Sequence, residues 1–334
     1  MEQQIQYCTT RDGVRLAYSI IGRGTPIVRT PHWFAHLEYD LKGPIFRHQI
    51  LGLAHYHSLL RYDGRGLGLS QREVEEISFE RLVEDLETVI DCAGLKRFIL
   101  VGLSQGGAVA TAYASRHPER VSHLIIFGAF ARGSLHRENL EKHKQALELN
   151  CALVREGWGS DQDSYREFFT TQFIADGTIE HHRWLNNVQR ITATPDVAER
   201  IMRMNANINV AALLPTVRVP TLVMHTRGDT RVPFSLGQEF AAGIPGAKFV
   251  TLESRNHIIL ADEPANRQFF DTIFSFLGDP RIRGALPGTA SFKERLDKLV
   301  QAVEQSWVIK VVVILAAITG VALFVEEMWR NLFR

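Results

Sequence analysis

The stretch Gly102-Leu103-Ser104-Gln105-Gly106 constrains this chain more than any other, because of what flanks it. An apolar run, Phe98-Ile99-Leu100-Val101, leads into it, and Ala/Val-rich helical sequence follows. A strand that turns abruptly into a helix at a serine forces that residue into strained backbone geometry and exposes its hydroxyl at the top of a sheet. Gly102 and Gly106, with Gly107 behind, remove the Cβ atoms that collide in so tight a turn. The Gln105 amide opens the helix and points into the same space, where a developing oxyanion can be held. The expectation is a buried strand, an elbow and a helix, with Ser104 as a nucleophile.

A serine hydroxyl is a poor nucleophile at neutral pH and needs a base, which in turn needs an orienting acid. Two later segments supply them. Thr221-Leu222-Val223-Met224-His225 reads as a buried strand, and Asp229 stands on the Gly-punctuated turn after it. Lys248-Phe249-Val250-Thr251-Leu252 reads as another strand, with His257 on the loop that follows. His257 is one of 13 histidines, selected by position rather than identity. The stretch Phe127-Gly128-Ala129-Phe130 offers no rival carboxylate after the preceding strand. Ser104, Asp229 and His257 form the expected catalytic set, in the chain order nucleophile, acid, histidine.

These residues, with Pro31-His32-Trp33, His36-Leu37-Glu38 and Arg61-Tyr62-Asp63-Gly64-Arg65-Gly66-Leu67-Gly68-Leu69-Ser70, carry a resemblance. From about Gln6 to Leu277 the chain resembles the α/β-hydrolase fold family, in particular its small esterase/haloperoxidase-like group. It is also similar to hydrolase modules joined to bacterial signalling domains. Arg227-Gly228-Asp229-Thr230-Arg231-Val232-Pro233-Phe234 and Arg255-Asn256-His257-Ile258-Ile259-Leu260 extend the match. The resemblance implies that Trp33, two residues after Pro31, donates a second oxyanion-hole N–H beside that of Gln105. Where many such proteins carry a small glycine, this chain has His32, which either meets a substrate or points away. Asp63 and Arg65 read as structural turn residues.

The chain of 334 residues is 45% hydrophobic and 22% charged, enough to bury a large core. A formal net charge of +1 provides no long-range attraction for nucleic acid. No zinc-like Cys/His spacing or phosphate-binding glycine loop is present, so no metal or cofactor is expected. Cys8, Cys92 and Cys151 are odd in number and widely spaced, which suggests reduced thiols. The start, Met1-Glu2-Gln3-Gln4, lacks a charged-then-apolar leader, so the hydrolase-like part is expected to be cytoplasmic.

Elsewhere the pattern alternates between strand and helix. Ile5 to Thr10 and Val14 to Ile21 alternate around Asp12-Gly13 as a hairpin. Pro26–Thr30, Ser58–Tyr62 and Val121–Phe127 read as short strands. Ser78 to Ala93 has helical periodicity, capped by Ser78. This alternation implies an α/β fold, a mostly parallel sheet flanked by helices. From about Phe130 to Leu214 strand-like runs disappear and amphipathic helices carry Trp158, Phe168, Phe169, Phe173 and Trp184. That stretch is expected to be a helical cap inserted after the sixth strand, its aromatics mostly its own packing. His181-His182 reads as a solvated face of the cap.

The expected organisation is a hydrolase domain over 1–278, with its cap at about 130–214. A linker and amphipathic juxtamembrane helix follow over 279–306, and a transmembrane helix over 307–326. Val308 to Val325 carries only Lys310 as a charge, and Trp307 and Trp329 bracket it like interfacial anchors. The chain therefore reads as a single-pass protein with a C-terminal anchor. Its expected partners are a small hydrophobic or lipid-like ester, the lipid bilayer and, through small residues around Gly320, a second copy of the chain. The expected activity is a serine-dependent carboxylesterase-like hydrolase working through an acyl-enzyme. The other reading is a ligand-binding sensor or membrane effector that uses the same fold.

Overall fold

The computed structural model describes residues 3–278. The expected linker (279–306) and membrane-spanning stretch (307–326) lie outside them. Among the described residues, no helix is long and apolar enough to cross a membrane.

Short apolar runs bounded by turns become strands here. They are β1 (Gln4–Thr9), β2 (Arg15–Gly22), β3 (Pro26–Arg29), β4 (Ser58–Tyr62), β5 (Phe98–Leu103), β6 (Val121–Phe127), β7 (Thr221–Thr226) and β8 (Lys248–Leu252). They form one sheet in the order β1-β2-β4-β3-β5-β6-β7-β8. The β1–β2 hairpin and the β2–β4 pair are antiparallel, and every other pair is parallel. All residues of β5 and β7 are buried, as continuous apolar runs covered on both faces require.

Helices α1 (Leu37–Lys42) and α2 (Arg47–Tyr56) connect β3 to β4, and α3 (Phe79–Cys92) connects β4 to β5. On α3, Leu82, Val83, Leu86, Val89 and Ile90 are buried, and the Ser78 side chain accepts from the Arg81 amide at the N-terminus. β3 lies between β4 and β5, so the chain reverses its direction of travel across the sheet there. Open α/β sheets place their sites at such a switch point, outside the carboxyl ends of the strands. The loops after β3 and β5, which carry Trp33 and Ser104, therefore leave the sheet side by side. Arg29 pairs with Val101 in register, and the Thr30 amide donates to the Val101 carbonyl at 3.0 Å.

The glycine-rich segment after β4 is a brace. Asp63 accepts from the Leu37 and Leu69 amides at 2.9 and 2.8 Å. Arg65 grips Asp85 of α3 with two nitrogens at 2.9 and 2.6 Å, and reaches Asp12 of the hairpin turn at 2.9 Å. Arg65 and Asp85 are almost fully buried, so removing Asp85 leaves the buried Nε of Arg65 without its acceptor and Asp12 as its remaining carboxylate. Asp85→Ala is expected to lower stability by about 1–3 kcal/mol, read by urea denaturation. A loss below about 1 kcal/mol, the range of a surface pair, contradicts the brace.

After β6 come α5 (Leu140–Gly157), α6 (Ser164–Phe173), α7 (Ile179–Thr192) and α8 (Pro195–Asn207), all before β7. Their starts are cut by sequence: the Thr178 and Thr194 side chains accept from the His181 and Val197 amides, and Pro195 opens α8. Helices α9 (Phe234–Gly243) and α10 (Pro264–Leu277) complete the alternation.

Candidate active site

Ser104 sits between the last residue of β5 and the first of α4 (Gln105–Arg116), at φ 52° and ψ −126°. Positive φ is costly for a residue with a Cβ, and such outliers concentrate at functional sites. Its amide donates to the Phe127 carbonyl of β6 at 2.9 Å, which pins the turn to the neighbouring strand. The tightness has a visible cause. A Cβ at Gly102 would stand 2.6 Å from the Gly107 Cα, and one at Gly106 would stand 2.1 Å from the Thr30 hydroxyl. Helix and strand approach this closely only because both positions are glycine.

Asp229 and His257 come together from the turns after β7 and β8. The His257 Nδ1 lies 2.7 Å from Asp229 Oδ2. A carboxylate oxygen only accepts, so Nδ1 carries the proton and Nε2 remains the basic nitrogen. The other carboxylate oxygen accepts from the Arg231 and Val232 amides, each at 2.8 Å. Burial alone favours the neutral acid, but His257, His225 and the Val232 amide outweigh it. They hold the Asp229 carboxyl well below the usual carboxylate range.

His225 is a partner that sequence reasoning missed. Its Nε2 lies 2.9 Å from the Val232 carbonyl and 3.3 Å from Asp229 Oδ2. Both neighbours are acceptors, which places a proton on that nitrogen. Asp229 is thus addressed by two imidazole N–H groups and two main-chain amides. The legible signal was a histidine at the end of the strand, four residues before the acid.

The loop that presents His257 is tied down on both sides. Thr226 donates to the Asn256 carbonyl at 2.9 Å, the Asn256 side chain donates to Glu263, and its oxygen accepts from the Asp176 amide beyond α6. The Ile258 amide donates to the Phe173 carbonyl at 3.0 Å. Gly128, where a rival acid is missing, has φ +58°, and a Cβ there would be 3.0 Å from the His257 ring. Any side chain at this position crowds the histidine.

Two cavities meet at Ser104. The larger, about 210 Å³, is lined by Ser104, Gln105, Trp33, Asn205, Arg137 and Arg231 among others, and by no acidic side chain. The smaller, about 30 Å³, is mostly apolar and is lined by Ser104, His257, Trp33, His32 and Phe173. Ser104 and His257 therefore share a wall. Trp33 and Gln105 flank the same serine, and among the described residues neither amide donates to a backbone carbonyl. Two free N–H groups beside a nucleophile are the arrangement an oxyanion requires. The Gln105 side chain accepts from Asn205 of α8 at 2.5 Å, which couples the elbow to the inserted helices.

His32 lines the small cavity and is at the same time packed into the core. Its ring is buried, stacks on Phe46 with centroids 4.2 Å apart, and turns Nε2 toward Asp40 at 3.4 Å. Burial holds its pKa below the ordinary value, although Asp40 favours protonation. Asp63 and Arg65 lie in the brace, as expected. The inserted aromatics do more than pack among themselves. Trp158, Phe169 and Phe173 close on Trp33 at centroid distances of 5.1, 5.8 and 6.2 Å, while Phe168 is exposed. His181-His182 departs from the expected solvated face. His181 completes the cap of α7, and half-buried His182 bridges Glu167 at 2.5 Å and the Ile174 carbonyl at 3.0 Å.

The sequence profile of the alpha/beta hydrolase fold matches residues 42–210. RutD of Azorhizobium caulinodans, whose name assigns it provisionally to carbamate hydrolysis, is 28% identical over 79% of this chain and 95% of its own. An esterase from Exiguobacterium antarcticum superposes with a TM-score of 0.72 at 22% identity, covering 83% of this chain and 100% of that one. An enol-lactonase from Burkholderia xenovorans superposes with a TM-score of 0.68 at 22% identity, covering 82% and 100%. At these identities the two structures speak for the fold alone.

Proposed function

The chain belongs to the α/β-hydrolase fold family, and from that premise we propose that it is a serine hydrolase of carboxylic esters, held at a membrane by residues 307–326. The observation that carries the proposal is the His257–Asp229 contact at 2.7 Å, with Ser104 strained into the cavity wall that His257 shares. The carbamate hydrolysis for which the RutD relative is named breaks an acyl–heteroatom bond, which fits the same machinery.

In the proposed reaction the Ser104 Oγ attacks the ester carbonyl carbon while His257 Nε2 takes its proton. The carbonyl oxygen becomes an oxyanion and receives the Trp33 and Gln105 amides. When the tetrahedral intermediate collapses, the alkoxide leaves with the proton from Nε2, and the acyl group remains on Ser104. Water then attacks the acyl carbon, giving its proton to the same nitrogen. The acid departs as Ser104 regains its proton. Asp229 stays ionised throughout and holds the tautomer that each step needs.

The test is hydrolysis of short p-nitrophenyl esters by the purified full-length protein, together with labelling by a fluorophosphonate probe. Folded protein that is inert to varied esters and unlabelled favours instead a ligand-binding sensor or membrane effector. The anchor is tested separately. The full-length chain should sediment with membranes and resist carbonate extraction, and a form ending at Gly278 should not. Intact full-length protein in the soluble fraction removes the anchor from the proposal.

A further inference from the structure

The larger cavity beside Ser104 is lined by two guanidinium groups and by no carboxylate. Arg137 and Arg231 both line it, and neither forms an ion pair among the described residues. Arg231 donates to the Gln172 side chain at 2.8 Å, and its guanidinium rests over the Trp33 and Phe173 rings at 5.5 and 5.3 Å. Arg137 donates its Nε to the Arg132 carbonyl at 2.8 Å and rests over Phe130 at 5.4 Å. The carboxylates near them are already engaged. Asp229 belongs to His257 and His225, and Glu239 holds Arg132 at 2.7 Å. Burial pulls the Arg231 guanidinium down to about 10 even with Asp229 near, and burial lowers Arg137 as well. Both groups remain charged at neutral pH. A half-buried guanidinium is costly unless something anionic reaches it, and its planar fork suits a carboxylate.

We propose that this cavity selects a carboxylate-bearing acyl group, the monoester of a short dicarboxylic acid, whose free carboxylate lies between Arg137 and Arg231. The proposal deepens the hydrolase reading of Ser104 and rests on it. His257 lines the small cavity and not the large one, so the leaving oxygen that it protonates faces the small side. The acyl chain then occupies the side with the two arginines. Volume sets its length. About 210 Å³ falls short of the roughly 300–1,000 Å³ typical of drug-sized ligands. A four- or five-carbon diacid fits that space. A long acyl chain fills it and runs out of its mouth, away from the two guanidinium groups.

Full-length protein in detergent is assayed by pH-stat on monomethyl succinate and monomethyl glutarate. Each is compared with the neutral ester in which an isopropyl group replaces the carboxylate. The expected kcat/KM ratio favours the acidic esters by roughly tenfold or more, and Arg137→Gln or Arg231→Gln lowers that ratio by roughly tenfold. Arg137→Lys restores part of it, which a purely structural role for Arg137 does not predict. In parallel, Ser104→Ala protein should bind glutarate in calorimetry but not glutaramide, and Arg137→Gln should remove that binding in the same background. Ester hydrolysis with a ratio near one, and no glutarate binding, overturns the anion site while leaving the hydrolase intact. Arginine-dependent glutarate binding with no turnover of any ester supports the anion site and overturns the hydrolase instead. Because Arg231 packs between rings, Arg137→Gln keeps the test decisive if Arg231→Gln fails to fold.

Discussion

Ser104→Ala is expected to lower kcat/KM on p-nitrophenyl esters by about 10⁴-fold or more and to abolish fluorophosphonate labelling. Magnitudes of that order follow when the nucleophile of a serine–histidine–acid set is removed, because residual catalysis then comes only from binding and oxyanion donors. The fold should be untouched, since alanine has the same Cβ and inherits the same φ of 52°. Ser104→Gly separates chemistry from strain. Glycine adopts that conformation without penalty, so the glycine variant should be equally inactive yet more stable than Ser104→Ala by about 1 kcal/mol in urea denaturation. If Ser104→Ala retains substantial turnover, the elbow is a structural turn. If the glycine variant is less stable than the alanine variant, the backbone there is not under strain.

The elbow was legible because strand, serine and glycines are local. Gly102 and Gly106 announce a turn so tight that Thr30 and Gly107 crowd it, and no distant information is needed to see that. The same holds for β4, β6 and β8, each a short apolar run cut by turn residues, and for α3, whose Ser78 cap and 3.6-residue stripe both lie in one stretch. Side chains that meet across the fold were another matter. Arg65 reaches Asp85 and Asp12 from a segment that reads only as a glycine-rich turn. His182 read as solvated because nothing in its neighbourhood along the chain shows that α6 brings Glu167 to it. Arg137 and Arg231 lie 94 positions apart and converge on one cavity only after the inserted helices fold over the sheet. Periodicity places a residue on a face, but which face looks into a cavity depends on how helices pack, and packing angles are not written locally.

The second large effect is expected at Asp229, and it separates two roles of one carboxylate. Asp229→Asn should lower kcat by about 10³–10⁴-fold. An asparagine oxygen can still accept the Arg231 and Val232 amides, so the turn stays in place. Its amide nitrogen, however, then faces His257 and donates where a carboxylate accepted. His257 must answer with an unprotonated Nδ1, which moves its proton to Nε2 and leaves no base for Ser104. Catalysis fails through the tautomer, not through distance. The same substitution should leave a pH signature in stability. The folded protein holds the Asp229 carboxyl below its ordinary value, near 4. The ionised group therefore contributes stability that is fully present above about pH 4 and is lost as pH falls through the depressed value. Asparagine has no such titration. Wild type should exceed Asp229→Asn in denaturation free energy at pH 7, and the gap should shrink as pH is taken well below 4. A gap that stays constant with pH means that the carboxylate is not held in its charged form by His257 and His225. Full turnover in the variant means that His257 needs no orienting acid, and the proposed proton path then fails with it.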